Sequence, residues 1–306
     1  MVPRYRYVIV GAGVAGASAV RGIREWDGGS ILLMGAEPHP PYHRPPLSSD
    51  LWLGRESLET ISVEPEEFWL RQEVELVTGT RVVALDPIRR QVVDGRGQAY
   101  GYEKLLLATG GEARRLTIVG ADLEGVYHYR TLDDYLGTRA RAPAGSSALI
   151  IGADFVGLEL AAALAANRVD VTMLVPDRSL AAQVLPGELS RIVAARYVDH
   201  GIHILMADAP VMIERANGRL RTSTQRGARI DSDVVLVTLG TAPSIALAER
   251  AGLKVGDGIV VDEYLRTSAP RSSLPETTPS SHPRSSKSLG GSRAGTMRGC
   301  RGGTRA

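Results

Sequence analysis

An α/β fold of two successive Rossmann-like units is what this sequence predicts, and three observations carry the prediction. A strand, glycine turn, helix, strand and acid follow one another from Tyr5 to Glu37. The same pattern returns from Ser147 to Asp177 as an internal repeat, about 140 residues later. Between the copies lie short strand signals separated by turn residues.

In chain order, Tyr5 to Val10 predicts the first strand, which ends at Gly11. Gly11, Gly13 and Gly16 then lead into a helix of small residues through Ile23, and Ile31 to Met34 predicts the second strand, closed by Gly35-Ala36-Glu37. Val74 to Val77, Arg81 to Leu85, Gln91 to Val93 and Tyr102 to Ala108 read as short strands, with Asp94-Gly95 as a hairpin signal. The last of them closes on Thr109-Gly110-Gly111, where backbone can approach a ligand closely. In the second copy Ser147 to Ile151 is a strand ending at Gly152, Phe155 to Ala166 a helix, and Val169 to Val175 a strand stopped by Pro176-Asp177. Pro186 to His200 predicts a helix terminated by Gly201. Strand-like segments around Asn217-Gly218 then lead to the run Val234 to Leu239 and Gly240.

The 306 residues, 43% hydrophobic, suffice for about two domains with buried cores. The net charge is +2, but seven basic residues and one acid follow Pro270, which leaves the preceding body at about −4, an ordinary soluble surface. No apolar run reaches bilayer-spanning length. Cys300 is the single cysteine, so an intrachain disulfide and a dithiol redox centre are excluded and a reducing, cytoplasmic setting is expected. His39, His43, His128, His200 and His203 lack metal-ligand spacing, so no metal is expected, and no GxSxG supports a catalytic triad.

Gly11-Ala12-Gly13-Val14-Ala15-Gly16 fits the GxGxxG fingerprint in its strand-to-helix context. Gly11 makes the turn, Gly13 lets backbone reach a diphosphate at the helix N-terminus, and Gly16 permits close packing of helix on strand. Glu37 is placed to accept hydrogen bonds from a ribose. The competing reading is a glycine-rich turn that binds nothing. In Pro41-Tyr42-His43-Arg44-Pro45-Pro46-Leu47-Ser48 an extended stretch presents one guanidinium, Arg44, suited to a phosphate or simply solvated.

That stretch resembles the PYxRPPLS signature of the FAD-dependent reductases that include ferredoxin and rubredoxin reductases and apoptosis-inducing factor. The resemblance runs from about Tyr5 to Ser268 and takes in Ala108-Thr109-Gly110-Gly111, Arg130-Thr131-Leu132, Phe155-Val156, Gly157-x-Glu159, Val175-Pro176-Asp177 and Gly258-Ile259-Val260-Val261-Asp262. It implies a glutathione-reductase-like fold, with FAD held by Gly11, Ala12, Gly13, Gly16, Glu37, Arg44, Pro45, Thr109, Gly110 and Arg130. It implies NAD(P)H on the second unit through Gly152, Gly157, Glu159 and Asp177, and electron transfer to a small redox protein. The position of Asp177 favours NADH over NADPH, with Arg178 beside it as a counterweight. The implied domains are residues 1–117 with 240–270 for FAD and 118–239 for NAD(P)H. No residue is singled out as catalytic, and neither a membrane nor a specific nucleic acid is expected as partner.

Three departures accompany the resemblance. Gly152-Ala153-Asp154-Phe155-Val156-Gly157 has Asp154 where the second glycine belongs, and its carboxylate is placed to cap the helix in the ligand's stead. Nucleotide binding and a purely structural βαβ unit both remain open there. Ser49 stands where the family commonly has a lysine paired with the glutamate that Glu159 resembles, which leaves Glu159 without that partner. From Arg271 on, Ser, Thr, Pro, Gly and Arg dominate, predicting a disordered basic tail over 271–306. The family's AAGD motif and C-terminal interface domain are missing there. One permitted set of codons for Arg271 to Pro279, read from its third base, encodes Ile-Phe-Ala-Ala-Gly-Asp-Asn-Ala, so an out-of-frame tail is the expectation. A real nucleic-acid-binding tail is the alternative, disfavoured because aromatics are not interleaved with its basic residues. A nucleotide-binding remnant without turnover is the second reading of the whole chain.

Overall fold

β1 (Arg4–Val10) is the central strand of the first sheet in the computed structural model, which describes residues 1–269. Its side chains alternate between two cores, as the pleat of a strand requires. Val8 and Val10 pack with Leu32, Met34, Val82, Val92 and Leu247, whereas Ile9 faces Ala17, Val20 and Trp69 on the other side. Burial on both faces is why the end of this strand reads as an unbroken apolar run.

The chain continues through α1 (Val14–Arg24), β2 (Ile31–Met34), a 3-10 turn at Pro45–Ser48, α2 (Glu66–Arg71) and β3 (Val74–Val77). The hairpin of β4 (Val82–Asp86) and β5 (Gln91–Asp94) follows, then β6 (Ala99–Leu107) and the short β7 (Gly111–Ala113). Next come β8 (Val126–His128), α3 (Leu132–Arg141), β9 (Ser147–Ile151), α4 (Phe155–Ala166) and β10 (Asp170–Val175). α5 (Gly187–Asp199) and β11 (His203–Met206) precede β12 (Pro210–Ala216), β13 (Arg219–Thr224) and β14 (Arg229–Ser232). β15 (Val234–Val237), β16 (Thr241–Pro243) and α6 (Ala246–Arg250) complete the order.

The first sheet runs β3-β2-β1-β6-β5-β4, parallel from β3 to β6 and antiparallel in its β5 and β4 strands. The second, β11-β10-β9-β15-β8, is wholly parallel. β12, β13 and β14 form an antiparallel sheet, and β7 pairs with β16 in a two-stranded ribbon. In both large sheets the strand order reverses beside the first strand, at β1 and at β9, which opens a crevice at the carboxyl ends of the strands. A glycine turn fills each crevice floor. Gly11 has φ +120° and a Cβ there would lie 2.0 Å from the Ala108 carbonyl oxygen; Gly152 has φ +117° and its Cβ would lie 2.2 Å from the Thr238 oxygen.

Both copies of the expected βαβ pattern are present, with β2, β3, β9 and α4 on the expected residues. The extended reading of 41–48 is corrected. Tyr42 bridges to Ser62 in extended form, but Pro45–Ser48 coils into a 3-10 turn because Pro45 and Pro46 fix φ at its first positions. Six elements have no counterpart in the sequence expectations: α2, β7, β8, α3, β16 and α6. The start of α3 is a capping box, in which the Thr131 hydroxyl accepts from the Asp134 N–H and the Asp134 carboxylate accepts from the Thr131 N–H. The expectations of disorder and of an out-of-frame sequence over 271–306 lie outside the described residues. Among the described residues no helix is long and apolar enough to cross a membrane.

Gly11→Ala and Gly152→Ala should each destabilise the chain by about 2–4 kcal/mol in urea unfolding, since both the φ and the carbonyl contact forbid a Cβ. Gly13→Ala, whose Cβ meets nothing within 4 Å, should cost only about 1 kcal/mol, the loss of a favourable N-cap residue without a clash.

Candidate functional site

A cavity of about 1000 Å³ opens at the carboxyl end of β1. Gly11, Glu37, Arg44, Thr109 and Arg130 line it, five of the residues singled out from sequence. Ala12 and Gly13 follow Gly11 on the turn, Gly110 lies between the lining residues Thr109 and Gly111, and Pro45 follows Arg44. Gly16 meets the backbone of the turn: a Cβ there would lie 2.1 Å from the Gly11 oxygen. Thr109 is held by its hydroxyl, which donates to the Ser244 carbonyl at 2.8 Å. Six arginines and four carboxylates line the space, so its walls favour an anion.

Tyr42 organises the polar wall. Its hydroxyl donates to Glu37 Oε2 at 2.6 Å and accepts from Arg44 Nη1 at 3.0 Å and from the Leu132 N–H at 2.9 Å. Arg44 Nη2 pairs with Glu37 Oε1 at 2.5 Å, and its Nη1 donates to the Arg130 carbonyl at 2.8 Å. Arg130 in turn donates through Nε to the Gly111 carbonyl at 3.1 Å. Burial, then the Glu37 carboxylate, push the Tyr42 phenol well above its usual value, so it is a fixed donor. Burial and the neighbouring Arg44 lower Arg130 from the usual guanidinium value, a mark of crowded positive charge.

The second fingerprint is built differently. Asp154 is the N-cap of α4, and its Oδ1 accepts from the Gly157 N–H at 2.8 Å, as the sequence anticipated. Burial raises its carboxyl above the ordinary value, partly opposed by the Gly157 and Gly240 N–H groups. Glu159 has a partner after all. Ser48 Oγ donates to Glu159 Oε2 at 2.5 Å, a neutral contact in place of the lysine pair. Ser49 instead bonds the Pro45 carbonyl at 3.3 Å. Asp177 is exposed beyond β10, and its carbonyl accepts from the Ala207 N–H at 2.9 Å. Gly152, Gly157, Glu159 and Asp177 do not line the large cavity.

Two residues of this region carried no signal of their roles. Tyr42 reaches Leu132, 90 positions away, a contact that no local pattern encodes. His128 lines the cavity and accepts from the Leu116 N–H at 3.0 Å, and burial with Arg115 nearby lowers its basicity. Among the described residues no cluster of His, Cys, Asp and Glu could hold a metal ion.

Residues 5–271 match the family described as pyridine nucleotide-disulphide oxidoreductase. The chain belongs to that family. Its members use FAD and NAD(P)H. The chain is 34% identical to a rubredoxin-NAD(+) reductase of Pseudomonas putida, over 85% of this chain and 68% of the relative. It is 36% identical to rhodocoxin reductase of Rhodococcus erythropolis, over 85% of this chain and 61% of the relative. The crystal structure of a ferredoxin reductase from Rhodopseudomonas palustris superposes with a TM-score of 0.80 at 33% identity, covering 86% of this chain and 66% of that one. The chain thus spans about two thirds of the length of the relatives it matches.

Tyr42→Phe leaves Glu37 Oε2 and the Leu132 N–H short of a partner, and should cost about 1–3 kcal/mol in chemical unfolding. Unchanged stability in that variant would remove Tyr42 from its organising position.

Proposed function

We propose that this chain is the core of a flavoprotein reductase that takes hydride from NADH and passes electrons to a small redox protein. One observation carries the reading: a single cavity of about 1000 Å³, at the crevice of the first sheet, gathers Gly11, Glu37, Arg44, Thr109 and Arg130. That volume is at the upper end of ligand sites, about 300–1,000 Å³, and suits a dinucleotide. The open space at Gly13 and the arginine-rich wall suit its diphosphate.

In this reading residues 1–117 and 240–270 hold FAD and residues 118–239 hold NADH. Backbone at Gly11 to Gly13 and the N-terminus of α1 hold the diphosphate, with the Arg44 guanidinium beside it. Glu37, already fixed by Tyr42 and Arg44, receives the ribose hydroxyls. Thr109, Gly110, Pro45 and Arg130 border the far part of the group. Asp177 takes the nicotinamide nucleotide's ribose, and Glu159, held by Ser48, stands where the two units meet. Bound FAD supplies two-electron uptake and one-electron release; the chain positions it and keeps water out. The names of the relatives support a rubredoxin- or ferredoxin-like acceptor. One cysteine fits a cytoplasmic setting. The Asp154 cap favours a second reading, a nucleotide binder without turnover.

An anaerobic absorption spectrum before and after NADH tests both. Flavin bands that bleach are expected. A protein that stays colourless after incubation with FAD overturns the proposal, and flavin bands that NADH leaves intact select the second reading.

A further inference from the structure

Asp154 occupies the position that Gly13 has in the first unit. At Gly13 an added Cβ meets nothing within 4 Å, so the start of α1 is open. At the start of α4, a helix of 12 residues, the chain has placed its own anion. The Asp154 carboxylate accepts from the Gly157 N–H at 2.8 Å. Thr238 and Gly240 follow β15 across the second crevice, and both bear on this carboxyl by holding it in its charged form. The N–H groups at the start of α4 are the ones a dinucleotide's diphosphate needs.

Glu159, on the same helix, acts on this carboxyl through its charge, and it repels. From α5 the Tyr197 phenol, bonded to the Leu158 carbonyl, adds no charge, and from the 3-10 turn Ser48 is spent on Glu159.

We propose that Asp154 is a specificity-determining residue whose carboxylate holds the diphosphate position of the second unit. A dinucleotide enters there once that carboxylate takes up a proton or swings off the N-terminus of α4. This rests on the reading that the second unit binds NADH. Burial raises the Asp154 carboxyl and so eases the proton's uptake. Since the protonated form is the one that admits the ligand, affinity is greatest at acid pH and falls as pH rises past the Asp154 value, by about tenfold per unit at most.

The test is calorimetric titration of ADP-ribose into the chain saturated with FAD, from about pH 5.5 to about pH 8.5. ADP-ribose brings the diphosphate without hydride chemistry. Asp154→Asn keeps an N-cap acceptor and so the fold. It should bind about 10- to 100-fold tighter than the parent at the alkaline end and lose the pH slope, and Asp154→Gly should do the same. Equal affinity and equal slope in parent and Asp154→Asn overturn the inference while leaving the nucleotide site in place. Weaker binding in both variants overturns it too, by making the carboxylate a ligand contact. No binding by any of the three overturns the reading of the second unit as a nucleotide site, and this inference with it.

Discussion

Trp52 and the short segment around it join the two Rossmann units into one molecule. Trp52 is 2% exposed and shares one buried cluster with Leu47, Leu51 and Ile61 from its own segment and with Leu158, Leu160 and Leu164 of α4. The Trp52 N–H donates to the Tyr129 hydroxyl at 3.2 Å, and that hydroxyl donates to the Leu47 carbonyl at 2.6 Å. Asn167, at the end of α4, donates to the Trp52 carbonyl at 2.9 Å. α4 is apolar all round because its outer face is covered by this segment as well as its inner face by the sheet. The Arg44 and Tyr42 geometry in the cavity hangs from the same segment, so the polar wall inherits the rigidity of a packed core.

The parts of the fold legible in the sequence are those written by local rules. β2, β9 and α4 were read to the residue because apolar runs bounded by glycine leave little choice. The glycine turns were legible for the same reason: their φ values and carbonyl contacts demand the missing side chain. α2 and α3 were overlooked although Glu66 and Glu67 open one and a Thr131–Asp134 box opens the other. Six and ten residues long, they present too short a stripe for periodicity to announce, and packing rather than propensity makes them. The Tyr42 and Ser48 bonds were out of reach because each joins segments far apart in the chain.

The two units also differ in electrostatic character, despite sharing a topology. The first crevice is walled by guanidinium groups and leaves its helix end open. The second gathers Asp154 and Glu159 on α4, and Asp177 lies just beyond the next strand. A duplicated framework therefore presents one surface that draws anions and one that meets them with negative charge, a difference made by a handful of side chains on identical backbone logic.

The chain crosses between its two large sheets twice, and the crossings are hydrogen-bonded to each other. β7 and β16 pair directly, the Arg114 N–H donates to the Gly240 carbonyl at 3.0 Å, and the Ser244 N–H donates to the Gly110 carbonyl at 2.9 Å. Two separate linkers would leave the Trp52 segment alone to resist a twist of one half on the other. A paired strap has a torsional stiffness that separate strands lack, and it yields by flexing out of its own plane. The strap and the packed Trp52 segment thus act as two anchors, so a twist of one half on the other strains both at once.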